Sequence, residues 1–82
     1  MRSIFVGEHR HMRTGERHFY SGTYLVDEVR GEVAYVVDLH CDGKPPVRWE
    51  RAARYDPASM HPEDALVGAI DAQIDASDFA DA

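Results

Sequence analysis

Hydrophobic and polar residues alternate through much of the first two thirds of the chain, a pattern typical of half-buried β-strands. The segment EVAYVVDLHC shows it best, because every second residue from Val33 to Cys41 is apolar and falls on one face. Turn signals at 13–15, 30–31 and 42–46 separate runs of strand length. We therefore predict four strands, at roughly 3–12, 17–28, 32–41 and 47–54, joined as an antiparallel meander.

After Tyr55 the apolar residues recur at helical spacing. Pro62 suits the first helical position, and the two acids that follow it suit the positive end of the helix dipole. The predicted core-facing residues are Leu66, Val67, Ile70 and Ile74. We expect a helix over 60–76 and a frayed tail over 77–82. The helix should pack on the Tyr35 face of the sheet formed by 1–54, giving one α+β domain of order β-β-β-β-α.

Turn length sets the register of the two central strands. A two-residue turn at 30–31 pairs Tyr35 with Val26 and Val37 with Tyr24, so that apolar residues oppose one another. The same register places Cys41 opposite Tyr20.

Two turns are possible in the first hairpin. A two-residue turn at Thr14-Gly15 would place His11 opposite His18, but threonine is poor at the positive φ that this turn requires. A three-residue loop with Gly15 in the left-handed conformation pairs Ile4 with Tyr24 and Val6 with Gly22. That register places Ile4 and Val6 in the core. It also sends His18 to the face opposite His9 and His11.

The face of the sheet away from the helix is expected to carry apolar side chains among polar ones. These are Phe5, Phe19, Leu25 and Val36. Such a surface is a candidate interface. Trp49 either faces Val37 and completes the core or lies on this second face as an anchor for a partner, and Tyr55 is another candidate anchor.

Length and composition limit the classes of protein. Eighty-two residues form one small domain, and 44% hydrophobic residues are too many for wholesale disorder. No apolar run is long enough to span a bilayer, and the first residues lack the apolar stretch of a secretory signal. Cys41 is the single cysteine, so no internal disulfide can form. A cytoplasmic protein is the expectation.

Charge is distributed unevenly along the chain. All nine Lys and Arg residues lie in 1–54 with eight acids, whereas 55–82 carries seven acids and no base. On the helix, four aspartates form a stripe beside the apolar one: Asp64, Asp71, Asp75 and Asp78. An acidic surface next to exposed apolar groups suits a partner protein with a basic surface.

The segment HRHMRTGERH could serve a metal or a nucleic acid. His9, His11 and His18 are weak candidate zinc ligands, because the preferred register separates them, so we expect no metal or other cofactor. The arginines here and in RWERAARY suit nucleic acid, but the acidic helix would repel it. Direct nucleic-acid binding is therefore not favoured.

Catalysis has little support. His40 and Cys41 are adjacent in a strand and point to opposite faces, so they cannot form a nucleophile–base pair. We predict a non-enzymatic protein-binding module, a regulator or inhibitor that occupies a basic, nucleic-acid-binding surface of its partner. Small immunity proteins, antitoxins and phage-encoded inhibitors share this size and charge. The candidate contact residues are the four helix aspartates with Phe5, Phe19, Trp49 and Tyr55. The alternative is a homodimeric interaction domain in which the acids serve solubility.

Overall fold

Short connections fold the first part of the chain into one antiparallel sheet of order β1-β2-β3-β4. A computed structural model describes residues 2–77. Its elements are β1 (Ser3–Arg10), β2 (Arg17–Asp27), β3 (Glu32–His40), β4 (Val47–Arg54) and α1 (Pro62–Ala76). The predicted α+β architecture is confirmed, since the helix packs on one side of the sheet. We call that side the helix face and the opposite side the outer face.

Helix α1 begins and ends with local hydrogen bonds. The side chain of His61 accepts from the backbone N–H of Glu63, with Pro62 as the first helical residue. At the other end, the Ser77 hydroxyl donates to the carbonyl of Gln73 at 2.7 Å. These bonds satisfy backbone groups that a helix terminus leaves without a helical partner. No helix in residues 2–77 has the length and apolar character that crossing a bilayer requires.

The core lies between α1 and the helix face. Leu66, Ile70 and Ile74 are buried against β3 residues that include Val33 and Val37. Val67 was predicted to join this stripe, but that prediction is wrong, because 41% of its surface is exposed. Burial of the other three at ~1.5–3 kcal/mol each makes them the main apolar attachment of the helix.

The register of β2 and β3 differs from the prediction by two residues. Four residues, 28–31, form the turn, with Asp27 opposite Glu32 and Gly31 at a φ of 65°. Consequently Tyr35 pairs with Tyr24 rather than with Val26. Val37 pairs with Gly22 rather than with the predicted Tyr24. Tyr20 pairs with Leu39 rather than with the predicted Cys41. A shift of two preserves the face of every side chain, so the β3 core pattern is unaffected.

The register of β1 and β2 differs by one residue, which reverses the faces of β1. Phe5 opposes Gly22 on the helix face, whereas Ile4 and Val6 are 81% and 78% exposed. Two predictions are therefore wrong: Ile4 and Val6 are not in the core, and Phe5 is not on the outer face. The Tyr20 ring explains this register. It occupies the space that a side chain at position 7 would need, because its atoms lie 2.6 Å from where a Cβ of Gly7 would be.

Two further aromatic residues have definite positions. Trp49 opposes Val37 and packs partly buried against the core, the first of the two predicted alternatives. Tyr55 is also part of the core, and its backbone N–H donates to the carbonyl of Gly31 at 2.9 Å. Tyr55 is therefore not an exposed anchor.

Candidate functional site

Apolar side chains that are exposed or partly exposed share the outer face of the sheet. Cross-strand pairs place Ile4 beside Thr23 and Thr23 beside Val36, forming one row across three strands. The adjacent row contains Leu25, Ala34 and Ala52. Val6 and Phe19 extend the same face towards the other end of the sheet. We call these seven apolar residues, together with Thr23, the outer patch.

The outer patch has an acidic border at the end where β2 turns into β3. A surface depression there is lined by apolar residues that include Leu25 and Ala34, by the acids Asp27, Glu28 and Glu32, and by one base, Arg30. Asp27 also accepts a hydrogen bond from the backbone N–H of Arg30 in the turn. Apolar groups beside carboxylates can receive a side chain that is apolar along its stem and cationic at its tip.

At the opposite end of the outer face, charged side chains pair within the sheet. Arg17 donates to Glu8 at 2.7 Å across β1 and β2, and its guanidinium lies 5.4 Å from the centre of the Phe19 ring. Arg48 and Asp38 form a similar pair across β3 and β4, at 2.7 Å. Such exposed pairs contribute little stability, because water and salt screen the attraction between the two charges.

Two of the predicted contact aspartates face the sheet instead of water. His9 Nε2 lies 2.9 Å from Oδ1 of Asp75, and His9 Nδ1 lies 3.6 Å from Oδ1 of Asp71. Tyr20 donates its hydroxyl to Asp71 at 3.3 Å, and the Met12 backbone N–H donates to Asp75 at 3.0 Å. We call this group the His9 clasp. It ties the C-terminal half of α1 to edge strand β1.

The pKa shifts of the ionisable groups in the His9 clasp differ in direction and cause. Burial raises the pKa of Asp71 above its ordinary value, whereas the Met12 N–H and then His9 lower the pKa of Asp75. Burial, with the nearby Asp71 charge, raises the pKa of the Tyr20 hydroxyl to about 12. Tyr20 is therefore a permanent donor at neutral pH. Of the remaining stripe, Asp64 is exposed and Asp78 lies outside the described residues.

His11 organises the loop between β1 and β2. Its Nδ1 accepts from the backbone N–H groups of Arg13 and Thr14, so Nε2 carries the proton and donates to the Ser77 carbonyl at 2.8 Å. His11 is 2% exposed and serves as a structural link between this loop and the end of α1. Sequence reasoning missed this role, because the loop residues gave no sign that a side chain caps them.

The three histidines lie on one side of the sheet, contrary to the predicted separation. His9 is directly opposite His18 in the β1–β2 pair, and the His11 and His18 rings are 6.3 Å apart. Burial lowers the pKa of His18, which favours its neutral form. Among residues 2–77, no group of three or more His, Cys, Asp or Glu side chains has an arrangement that could hold a metal ion.

The arginine-rich segment of β4 is divided between the two faces. Arg48 lies on the outer face, whereas Trp49 and Arg51 lie on the helix face, with the guanidinium of Arg51 5.1 Å from the tryptophan ring centre. Of the three arginines in this segment, only Arg51 therefore shares a face with Trp49, and Arg48 and Arg54 lie on the other side of the sheet.

Cys41 follows β3 and is partly buried. Its thiol donates to Glu16 at 3.2 Å, and Glu16 also contacts Lys44 Nζ at 3.0 Å. Burial, followed by the hydrogen bond to Glu16, raises the pKa of the Cys41 thiol. A raised pKa keeps the unreactive thiol form at neutral pH.

Comparison with known proteins identifies no relative. No protein family, curated protein or solved structure matches the chain. The geometry and chemistry of the described residues are therefore the basis for a functional proposal.

Proposed function

We propose that this chain is a non-enzymatic protein-binding module that contacts another protein through its outer patch. The observation that carries the proposal is the group of apolar side chains on the outer face, of which Ile4 and Val6 are about four-fifths exposed. Apolar surface in water raises the free energy of the isolated protein, and a partner that covers it recovers roughly 25 cal/mol per Å².

The charge around the outer patch favours a partner with basic side chains. Asp27, Glu28 and Glu32 border the patch, and the whole chain carries a net charge of −6. Opposite charge raises the rate of encounter, while the apolar contacts retain the complex. A regulator or inhibitor that covers a basic surface, such as one that binds nucleic acid, is the form of this function that the charge supports.

The helix aspartates support this function less than the outer face does. Asp71 and Asp75 are engaged in the His9 clasp, so a partner that contacted the same carboxylate oxygens would compete with His9 and the Met12 N–H. Among the acids near Leu25, Asp27 accepts one hydrogen bond, from the backbone N–H of Arg30 in its own turn, and this bond does not hold the helix. We therefore assign recognition of basic groups to Asp27, Glu28 and Glu32.

The raised pKa of Cys41 argues against this residue as a nucleophile, since a nucleophilic cysteine needs a lowered one. His40, its neighbour, lies on the outer face.

A comparison of two matched variants tests the proposal. Leu25 is 37% exposed on the outer face, and Val67 is 41% exposed on the helix, so a lysine at either position can place its ammonium group in water. The immobilised wild-type protein and each variant are incubated with native lysate, and the retained proteins are identified by mass spectrometry. The expected result is a protein retained by the wild type and by Val67→Lys but lost from Leu25→Lys.

A second arm tests the charge requirement. Glu32→Gln should weaken retention of that protein, and raising the salt concentration should weaken it for the wild type more than for this variant. A retained set that is the same for Leu25→Lys and wild type would overturn the assignment to the outer patch.

A further inference from the structure

The two edges of the sheet differ in how they are protected against pairing. Pro45 and Pro46 precede β4, and three of the four outer-face residues of β4 are charged, namely Arg48, Glu50 and Arg54. Charge and proline are the usual devices that keep an edge strand from pairing with another chain. The first half of β1 instead exposes Ile4 and Val6.

We propose that β1 pairs antiparallel with β1 of a second copy of this chain, with the twofold axis at Phe5. Residues 2–8 are self-complementary in that register. Arg2 faces Glu8 of the other copy, Ile4 faces its Val6, and Ser3 faces its Gly7. Opposite charges and β-branched apolar pairs are the cross-strand neighbours that stabilise a sheet, at about 0.2–1 kcal/mol per pair.

Neighbouring registers lack this complementarity. An axis at Val6 places Arg2 opposite Arg10 and Ile4 opposite Glu8 of the second copy. An axis at Gly7 places Ile4 opposite Arg10. Like charges directly opposite one another, and apolar groups opposite charges, are unfavourable, so the axis at Phe5 is selected.

The proposed pairing keeps both helices on the same side of an eight-stranded sheet. The twofold axis is perpendicular to the sheet, because directly opposed side chains in an antiparallel pair share a face. The Phe5 rings of the two copies then become neighbours on the helix face, where each already packs against Tyr20 and Tyr24. On the outer face, the row Val36–Thr23–Ile4 continues into Val6 of the second copy. The two outer patches therefore form one continuous surface.

Sedimentation velocity over a wide concentration range tests the pairing. We expect the wild type to dimerise reversibly. Arg2→Glu and Glu8→Arg should each weaken dimerisation by roughly tenfold or more, because each places like charges together at two symmetric positions. Arg2 is the cleaner site, since Glu8 also pairs with Arg17 within the chain.

An equimolar mixture of the two variants provides the decisive measurement. Arg2→Glu and Glu8→Arg chains are complementary to each other at both positions, so the mixture should regain dimers that neither variant forms alone. Arg54→Glu, an exposed charge change on β4, is the control and should dimerise like the wild type.

Three results would overturn the proposal: a monomeric wild type throughout the range, unchanged dimerisation of Arg2→Glu, or no recovery in the mixture. Loss of dimers in Leu25→Lys would indicate stacking of outer faces and would also contradict β1 pairing. The experiments can refute the β1 pairing and the proposed function independently. The pairing is tested at Arg2 and Glu8, and the proposed function is tested at Leu25 and Glu32.

Discussion

Replacement of Gly22 by alanine provides a sharp test of the strand register that defines the outer face. Gly22 opposes Val37 and lies where β2 and β3 approach closely. A methyl group at Gly22 would overlap the carbonyl oxygen of Val36 and lie 2.9 Å from its carbonyl carbon and 3.0 Å from the Cα of Val37. All three atoms belong to the backbone of a central strand, which cannot rotate away as a side chain can.

The expected loss of stability follows from the backbone atoms of β3 that the added methyl group would displace. Overpacking a fitted interior costs ~1–3 kcal/mol. Distorting β3 also weakens about two ladder hydrogen bonds at ~1 kcal/mol each, for a total of about 3–5 kcal/mol. A domain of this size has roughly 4–12 kcal/mol of stability. At ~4–8 °C per kcal/mol, the melting temperature should fall by at least about 12 °C.

Thermal and urea unfolding followed by circular dichroism measure this loss. Gly68→Ala is the matched control, because a methyl group there meets nothing within 4 Å and lies on the exposed side of α1. It should raise stability by about 1 kcal/mol through helix propensity alone. A Gly22→Ala melting temperature equal to that of the wild type would refute the β2–β3 register and the outer patch derived from it.

Three further changes test the buried polar groups. Because burial lowers the pKa of His18 below 6.5, the unfolded chain takes up a proton that the folded chain resists, so wild-type stability should fall as pH drops below 6.5. Urea unfolding of His18→Gln should show a smaller fall, and an equal fall would contradict this account. Iodoacetamide should alkylate folded Cys41 slowly, and Glu16→Gln should accelerate the reaction, since Glu16 raises the thiol pKa; an unchanged rate would contradict the hydrogen bond. His9→Ala should increase amide exchange in the last turn of α1 relative to its first turn, and a uniform change would argue against the His9 clasp.

The sequence predicts elements well here because their periods are unambiguous. Val33, Tyr35, Val37 and Leu39 alternate without interruption, and all four are buried. Pro62 and the acids after it mark the start of α1 at the residue where it begins. These signals are local and do not depend on which strand lies alongside.

The register of β1 depends on its contacts with other strands, and the alternation of apolar and polar residues does not determine those contacts. The run Ile4-Phe5-Val6 is apolar throughout, so either face of β1 could be buried. Packing decides: the Phe5 ring lies 6.2 Å from the Tyr20 ring, and Tyr20 in turn occupies the space above Gly7. Gly7 was the available signal, because a glycine inside a strand marks the close approach of another group.

The sequence predicts that the outer face carries apolar residues, but it does not predict all of the residues that lie there. An apolar outer face with Phe19, Leu25 and Val36 follows from the strand pattern, whereas Ile4 and Val6 enter it through the changed register. The helical pattern correctly places Asp71 and Asp75 beside the apolar stripe. It cannot indicate that His9, more than sixty residues away in sequence, lies within 2.9 Å of Asp75.

The different engagement of the two acidic regions argues that recognition belongs to the sheet. The Oδ1 atom of Asp75 already accepts from His9 and from the Met12 N–H, so a basic partner that displaced either bond would leave a donor without its present acceptor. Contact at Leu25 and Glu32 breaks no such bond and exposes no buried group. Binding that needs no rearrangement retains more of its interaction energy as affinity. Asp71 and Asp75 therefore help to hold α1 on the sheet, which favours the outer face as the surface for the proposed partner.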